Sequence, residues 1–98
     1  MLPRTRLPDI TPIAFCREIK SLATGLSPKQ IIMAECDRGI FKEYSLILSR
    51  ELDVPLATVK SKWGAGIEFP NMPKRFQSLL KFVLHSRVAE LTQSRMVA

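Results

Sequence analysis

Apolar residues recur along this chain at steps of three and four, the spacing of one face of an α-helix, and no stretch alternates as a strand would. The C-terminal stretch carries the strongest periodicity. There Phe76, Leu79, Leu80, Val83, Leu84, Val88 and Leu91 predict a long helix from about Met72. Ile13, Cys16, Ile19 and Leu22, with Phe15 beside them, mark a first helix. Ile31, Ile32, Ala34 and Cys36 mark a second, and Ile40, Tyr44, Ile47, Leu48 and Leu52 a third. The residues between these runs start and stop helices. Thr11-Pro12 supplies an N-cap with proline at the first helical position, and Gly25 a left-handed stop. Ser27 and Gln30 stand in capping-box spacing, and Arg38-Gly39 is expected to close that helix. Asp53-Val54-Pro55 breaks the third helix, because proline disfavours helix in the residue before it. Leu56 to Trp63 reads as a short fourth helix, ended by Gly64-Ala65-Gly66. The expected fold is all-α: a small bundle of four to five helices with a long C-terminal helix.

Ninety-eight residues suffice for one domain with a modest core. Residues 1–10, with Pro3, Pro8, Arg4 and Arg6, read as an extended basic arm. Residues 11–92 form the helical domain, and a tail over 93–98 is expected to fray. No apolar run approaches a membrane span, and MLPRTRLPDI lacks the apolar segment of a signal peptide. The expectation is a cytoplasmic protein without a membrane partner. Cys16 and Cys36 lack CxxC spacing and lie in helical segments, so both are expected as small buried hydrophobes with free thiols.

The charge is uneven, and this changes the picture. The chain carries +6 overall, yet residues 1–53 hold eight basic against seven acidic side chains. Residues 54–98 hold seven basic residues against only Glu68 and Glu90. Such an excess attracts a polyanion through counterion release. It coincides with a helix, tight turn and second helix between Ser45 and Pro70, the pattern of a helix-turn-helix over about residues 45–63. Ser49 is the small residue that lets the second helix cross closely. Asp53 occupies the turn, and Val54 and Val59 are the apolar anchors. Aspartate tolerates the left-handed turn conformation at some cost.

The segment LSRELDVPLATVKSKWGAGIEFP resembles the helix-turn-helix of Cro/repressor-type (Xre-like) transcription regulators. In that family a helix with a small residue, a Gly-Val turn and a Thr-Val helix precede an aromatic, a glycine and a proline. Trp63, Gly66 and Pro70 stand at the corresponding exit. The likeness covers roughly Ser45 to Leu84 and departs from the family pattern twice. Asp53 stands where the turn glycine would be. Three residues, Lys60, Ser61 and Lys62, separate Val59 from Trp63 where the pattern has two.

Residues outward on the second helix would then be Leu56, Ala57, Lys60 and Ser61. Lysine reaches guanine edges or phosphate, serine bonds base or backbone, and the two apolar residues suit a thymine methyl. Lys62 is expected on phosphate, Arg50 as a backbone clamp, and Lys74 and Arg75 at the start of the last helix. Arg4 and Arg6 could enter a minor groove. A half-site reader gains affinity by pairing, so a homodimer through the C-terminal helix is expected on double-stranded DNA. Phe76, Leu80, Val83 and Leu84 would dock on the domain, leaving Phe82, Val88 and Leu91 for a partner.

Catalytic chemistry has no counterpart in the sequence. His85 is the single histidine and is expected to face solvent or an interface. With it and two distant cysteines no zinc set assembles, and no motif pairs it with a nucleophile. Gly64 and Gly66 lack the Lys-Ser/Thr of a phosphate loop. Trp63 and Tyr44 are expected in the core. The reading is a non-enzymatic DNA-binding regulator without cofactor or metal. The alternative is a helical protein-interaction module, or a subunit whose basic half faces RNA or an acidic partner.

Overall fold

The computed structural model describes residues 9–97, with side chains for residues 9–91. Its helices begin and end where local chemistry satisfies the backbone. α1 (Pro12–Thr24) starts at Thr11, whose hydroxyl accepts from the Ala14 amide at 3.2 Å, and stops at Gly25 with φ 75°. α2 (Pro28–Ala34) opens on a reciprocal capping box. The Gln30 amide donates to the Ser27 hydroxyl at 3.3 Å, and the Ser27 amide donates to Gln30 Oε1 at 3.0 Å. α3 (Ile40–Leu52) follows Gly39, which stands at φ 89° and turns the chain. α4 (Leu56–Thr58) runs on without interruption as a π-helical turn, Val59–Trp63. α5 (Lys74–Val97) is the longest element, 24 residues or about 36 Å. No strand occurs among the described residues, and no described helix is long and apolar enough to cross a membrane.

Three boundaries differ from the sequence reading. α2 ends at Ala34 and not at Arg38-Gly39, because Glu35 is drawn into tertiary contacts. Arg17 on α1 donates from Nε and Nη2 to the two Glu35 oxygens at 2.6 and 2.7 Å, and the Tyr44 hydroxyl donates to Glu35 Oε2 at 2.7 Å. A forked ion pair of this kind is geometrically demanding, and it takes precedence over another helical turn. Cys36 consequently lies in a turn and is exposed, against the expectation of a buried thiol; Cys16 is fully buried, and both are free. α5 begins at Lys74 and not Met72: Met72 is buried in the core and Pro73 precedes the helix. At its other end α5 continues to Val97, where fraying from Gln93 was expected. Arg4 and Arg6 lie outside the described residues.

The core gathers buried faces of α1, α3 and α5 together with the π turn. Phe15 and Cys16 of α1, Tyr44, Ile47 and Leu48 of α3, Val59 and Trp63 of the π turn, and Leu80 of α5 are buried together. Phe69 and Met72 join them from the loop before α5. α1 packs against α2, α3 and α5, so it is the central strut. Burial raises the Cys16 thiol pKa and, with the Glu35 hydrogen bond second, that of Tyr44. The Arg17 hydrogen bond holds Glu35 below the ordinary carboxylate value. α5 packs Phe76, Leu80, Val83 and Leu84 inward, as expected, and leaves Leu79, Phe82, Val88 and Leu91 exposed.

Candidate nucleic-acid interface

The turn between α3 and α4 is built by Ser49 and Asp53. The Ser49 hydroxyl donates to the Val54 carbonyl at 2.6 Å, and the Val54 amide donates to the Ser49 carbonyl at 3.1 Å. Those bonds close a tight turn around Asp53, which sits at φ 53°, ψ 49°. This is the left-handed conformation glycine favours, and aspartate is among the residues that tolerate it. Val54 is half-buried and Val59 fully buried, so the turn and the following helix are both anchored on the bundle.

The stretch Val59–Trp63 is a π turn. Widening from i→i+4 to i→i+5 bonding accommodates one more residue within the helix. Val59 (0 % exposed) and Trp63 (3 % exposed), four residues apart on one face, are both in the core. Within this stretch the Ser61 hydroxyl donates to the Ala57 carbonyl at 2.5 Å. Serine bonding back by four residues inserts a side chain into the helical ladder and bends it. Ser61, assigned from sequence to base or backbone contact, thus has its proton committed inside the helix and faces solvent only with acceptor lone pairs.

Ala57, Lys60, Ser61 and Lys62 are exposed. Leu56, expected to face outward with them, is half-buried at the base of the helix. Arg50, in the last turn of α3, and Lys74 and Arg75, in the first turn of α5, are exposed. The loop over residues 64–73 folds back on the π turn through the Asn71 amide, which donates to the Trp63 carbonyl at 3.3 Å. Trp63 then meets Phe76 of α5 with ring centroids 4.9 Å apart, inclined at 45°. The contact fixes the end of the second helix against the start of α5 and so sets Lys74 relative to Lys60 and Lys62. Arg75 lies over the Phe76 ring at 5.0 Å, which holds its guanidinium near the same junction.

Charge pairing sorts the basic residues. Arg17, Lys20, Lys81 and Arg87 each hold a carboxylate. Among the described residues, no ion pair engages Arg50, Lys60, Lys62 or Lys74, so their charge is not cancelled locally. Lys29, Arg38 and Lys42, around α2 and the start of α3, are likewise without one. His85 is exposed, and the described residues contain no group of three or more side chains suited to a metal ion.

Two residues shape this surface in ways the sequence does not announce: Gly64 reads there only as a helix stop, and Phe69 is given no place in the core. Gly64 has no room for a side chain: a Cβ there would lie 2.6 Å from Phe41 Cζ and 2.9 Å from the Lys60 carbonyl oxygen. Phe69, at φ 48°, is fully buried and stacks on Phe41 with centroids 5.6 Å apart. A bulky side chain in the left-handed region is uncommon, and only the adjacent Gly66 at φ 120° hinted at this bend. Compared with protein families, curated proteins and solved structures, the chain matches none.

Proposed function

We propose that this protein is a small sequence-specific regulator that reads double-stranded DNA with α4 and its π turn. The observation that carries the reading is the run Lys60-Ser61-Lys62. Three consecutive exposed polar residues stand on a helix whose two ends, Val59 and Trp63, are locked in the core, with neither lysine held by a carboxylate. In this reading the helix enters the major groove. Lys60 contacts guanine edges or phosphate, Ala57 meets a thymine methyl, and Ser61 accepts from an exocyclic amino group. Lys62, Arg50, Lys74 and Arg75 lie on phosphates and fix register. The likeness to Cro/repressor-type regulators points the same way, as does the positive excess of residues 54–98. Two copies joined along α5 through Phe82 and Leu91, 56 and 38 % exposed, would present paired readers to a palindromic site. A cytoplasmic location fits this role.

Selection of bound duplexes from a random pool at near-physiological salt tests the reading. Enrichment of a palindrome supports a dimeric reader. Binding that fades with salt and enriches nothing refutes it, because such binding is only electrostatic. The competing reading, a protein-interaction module, draws on the exposed Ile32, Met33 and Phe82, which are 48, 69 and 56 % accessible. Capture of a defined protein with no DNA selection would favour it.

A further inference from the structure

The outer face of α3 runs beside the candidate interface. Phe41, Ser45 and Ser49 stand at four-residue steps and form the seam toward α4 and the π turn. A Cβ at Gly64 would meet Phe41 at one end of this seam. Ser45 is fully buried in the middle, and Ser49 bonds Val54 at the other end. Lys42, Leu46 and Arg50 each follow one residue later, about 100° further round the helix, and all three are exposed. Their stripe therefore flanks α4 and the π turn. Arg38, four residues before Lys42 and also exposed, extends it past the N-cap Gly39.

The charge on this stripe is uncompensated. Among the described residues no ion pair engages Arg38, Lys42 or Arg50. The two carboxylates of α3 are turned elsewhere, Glu43 to Lys20 at 3.2 Å and Glu51 to Arg87 at 2.8 Å. Asp37 and Asp53, at the two ends, are exposed and hold none of the three cations. Their like charge confines a polyanion to the stretch between them. Lys42 and Arg50 are about 12 Å apart along the helix axis, which spans about three phosphate steps of one DNA strand. Leu46, 37 % exposed, is the uncharged gap between them. An unpaired cation meets a phosphate without first giving up a carboxylate, and it releases that phosphate's counterion.

We propose that the outer face of α3 is a phosphate track, on which Arg38, Lys42 and Arg50 lie along the DNA strand bordering the groove that α4 enters. The inference rests on the DNA-reading function and adds to it a backbone contact, supplied by Arg38 and Lys42, that lengthens the footprint. Phosphate contacts fix position and carry no base information. The track therefore changes affinity and its salt dependence, and leaves the selected sequence alone.

The test compares salt slopes, by fluorescence anisotropy, on the duplex that the parent protein selects from a random pool. Each phosphate contact adds about 0.9 to the slope of log affinity against log salt. Arg38→Gln/Lys42→Gln should therefore lower the slope by about 1.8 and lose about twelvefold less affinity than the parent between about 50 and 200 mM salt, with the same selected sequence. Leu46→Lys should raise the slope by about 0.9 and tighten binding, a gain that damage to the fold would not produce. Lys29→Gln removes an equally unpaired, exposed cation on α2 and should keep the parent's slope. Circular dichroism establishes that the variants are folded. A parent that selects no sequence overturns the DNA reading and the track with it. A parent that selects a site while Arg38→Gln/Lys42→Gln keeps its slope overturns the track alone. So does a fall of the same size per charge with Lys29→Gln, a relaxed sequence preference in the double variant, or a Leu46→Lys protein that binds no tighter than the parent.

Discussion

A single methyl group added at Gly64 tests the packing behind the candidate interface. Gly64 lies at φ −92°, ψ 132°, a conformation open to any residue, so Gly64→Ala introduces no backbone strain. What it introduces is volume. The new Cβ would stand 2.6 Å from Phe41 Cζ and 2.9 Å from the Lys60 carbonyl oxygen, both well inside van der Waals contact. Phe41 cannot simply withdraw, because its ring is stacked on the fully buried Phe69. Overpacking of this kind costs about 1–3 kcal/mol. For a domain of this size that lowers the melting temperature by roughly 5–20 °C. Urea unfolding followed by circular dichroism measures the loss, and an unchanged slope would assign it to the folded state. Combining the change with Phe41→Leu should recover part of it, a coupling of about 0.5 kcal/mol or more. Gly66→Ala makes the contrast, since the space there is open and φ is 120°. Its cost is conformational, about 1–3 kcal/mol, and Phe41→Leu should not relieve it. A Gly64→Ala protein as stable as the parent, or strict additivity with Phe41→Leu, would refute this packing of the π turn against α3.

Trp63→Ala should destabilise by about 3–5 kcal/mol, as for other buried large aromatics, because Trp63 is 3 % exposed and packed on Phe76; chemical denaturation measures it, and a loss below about 1 kcal/mol would show the indole outside the core. The double variant Lys60→Ala/Lys62→Ala should abolish selective DNA binding while leaving helicity and melting temperature close to the parent, checked by fluorescence anisotropy and circular dichroism. Glu35 contributes to the acid limb of stability. Its folded pKa is held below the ordinary 4.5, first by the Arg17 hydrogen bond, so its contribution is complete above that value and is lost as pH falls through the lower folded one. Glu35→Gln should therefore flatten the fall in melting temperature below about pH 4.5, and an unchanged acid limb would contradict the assignment.

Local chemistry made most of the fold legible. Thr11, Ser27 with Gln30, Gly25 and Asp53 each satisfy or turn the backbone within a few residues, and each performs the expected task. The inward face of α5 was equally readable, since burial follows the three-four spacing of Phe76, Leu80, Val83 and Leu84. Long-range contacts were not readable. Glu35 ends α2 because Arg17 and Tyr44, 18 and 9 residues away, compete for it. Phe69 joins the core and stacks on Phe41, and no periodicity announces a buried residue in an irregular loop. At the candidate interface, the exposure of Lys60, Ser61 and Lys62 follows from the anchors on either side. The retained Ser61 proton does not, because a helical serine either bonds back to the i−4 carbonyl or faces solvent, and residue type does not decide which.

The π turn separates two quantities that an ordinary helix ties together, the number of residues on the surface and the register of the core. Removing one residue from 60–62 would leave Val59 and Trp63 at a spacing of three, still on one helical face, with an α turn in place of the π turn. The bundle fixes where the two anchors sit, and spacings of three and four both meet that demand. This short stretch is therefore a place where the chain can change length without disturbing its interior. A single deletion there would re-index the outward side chains at once, a larger change of surface than any one substitution could make.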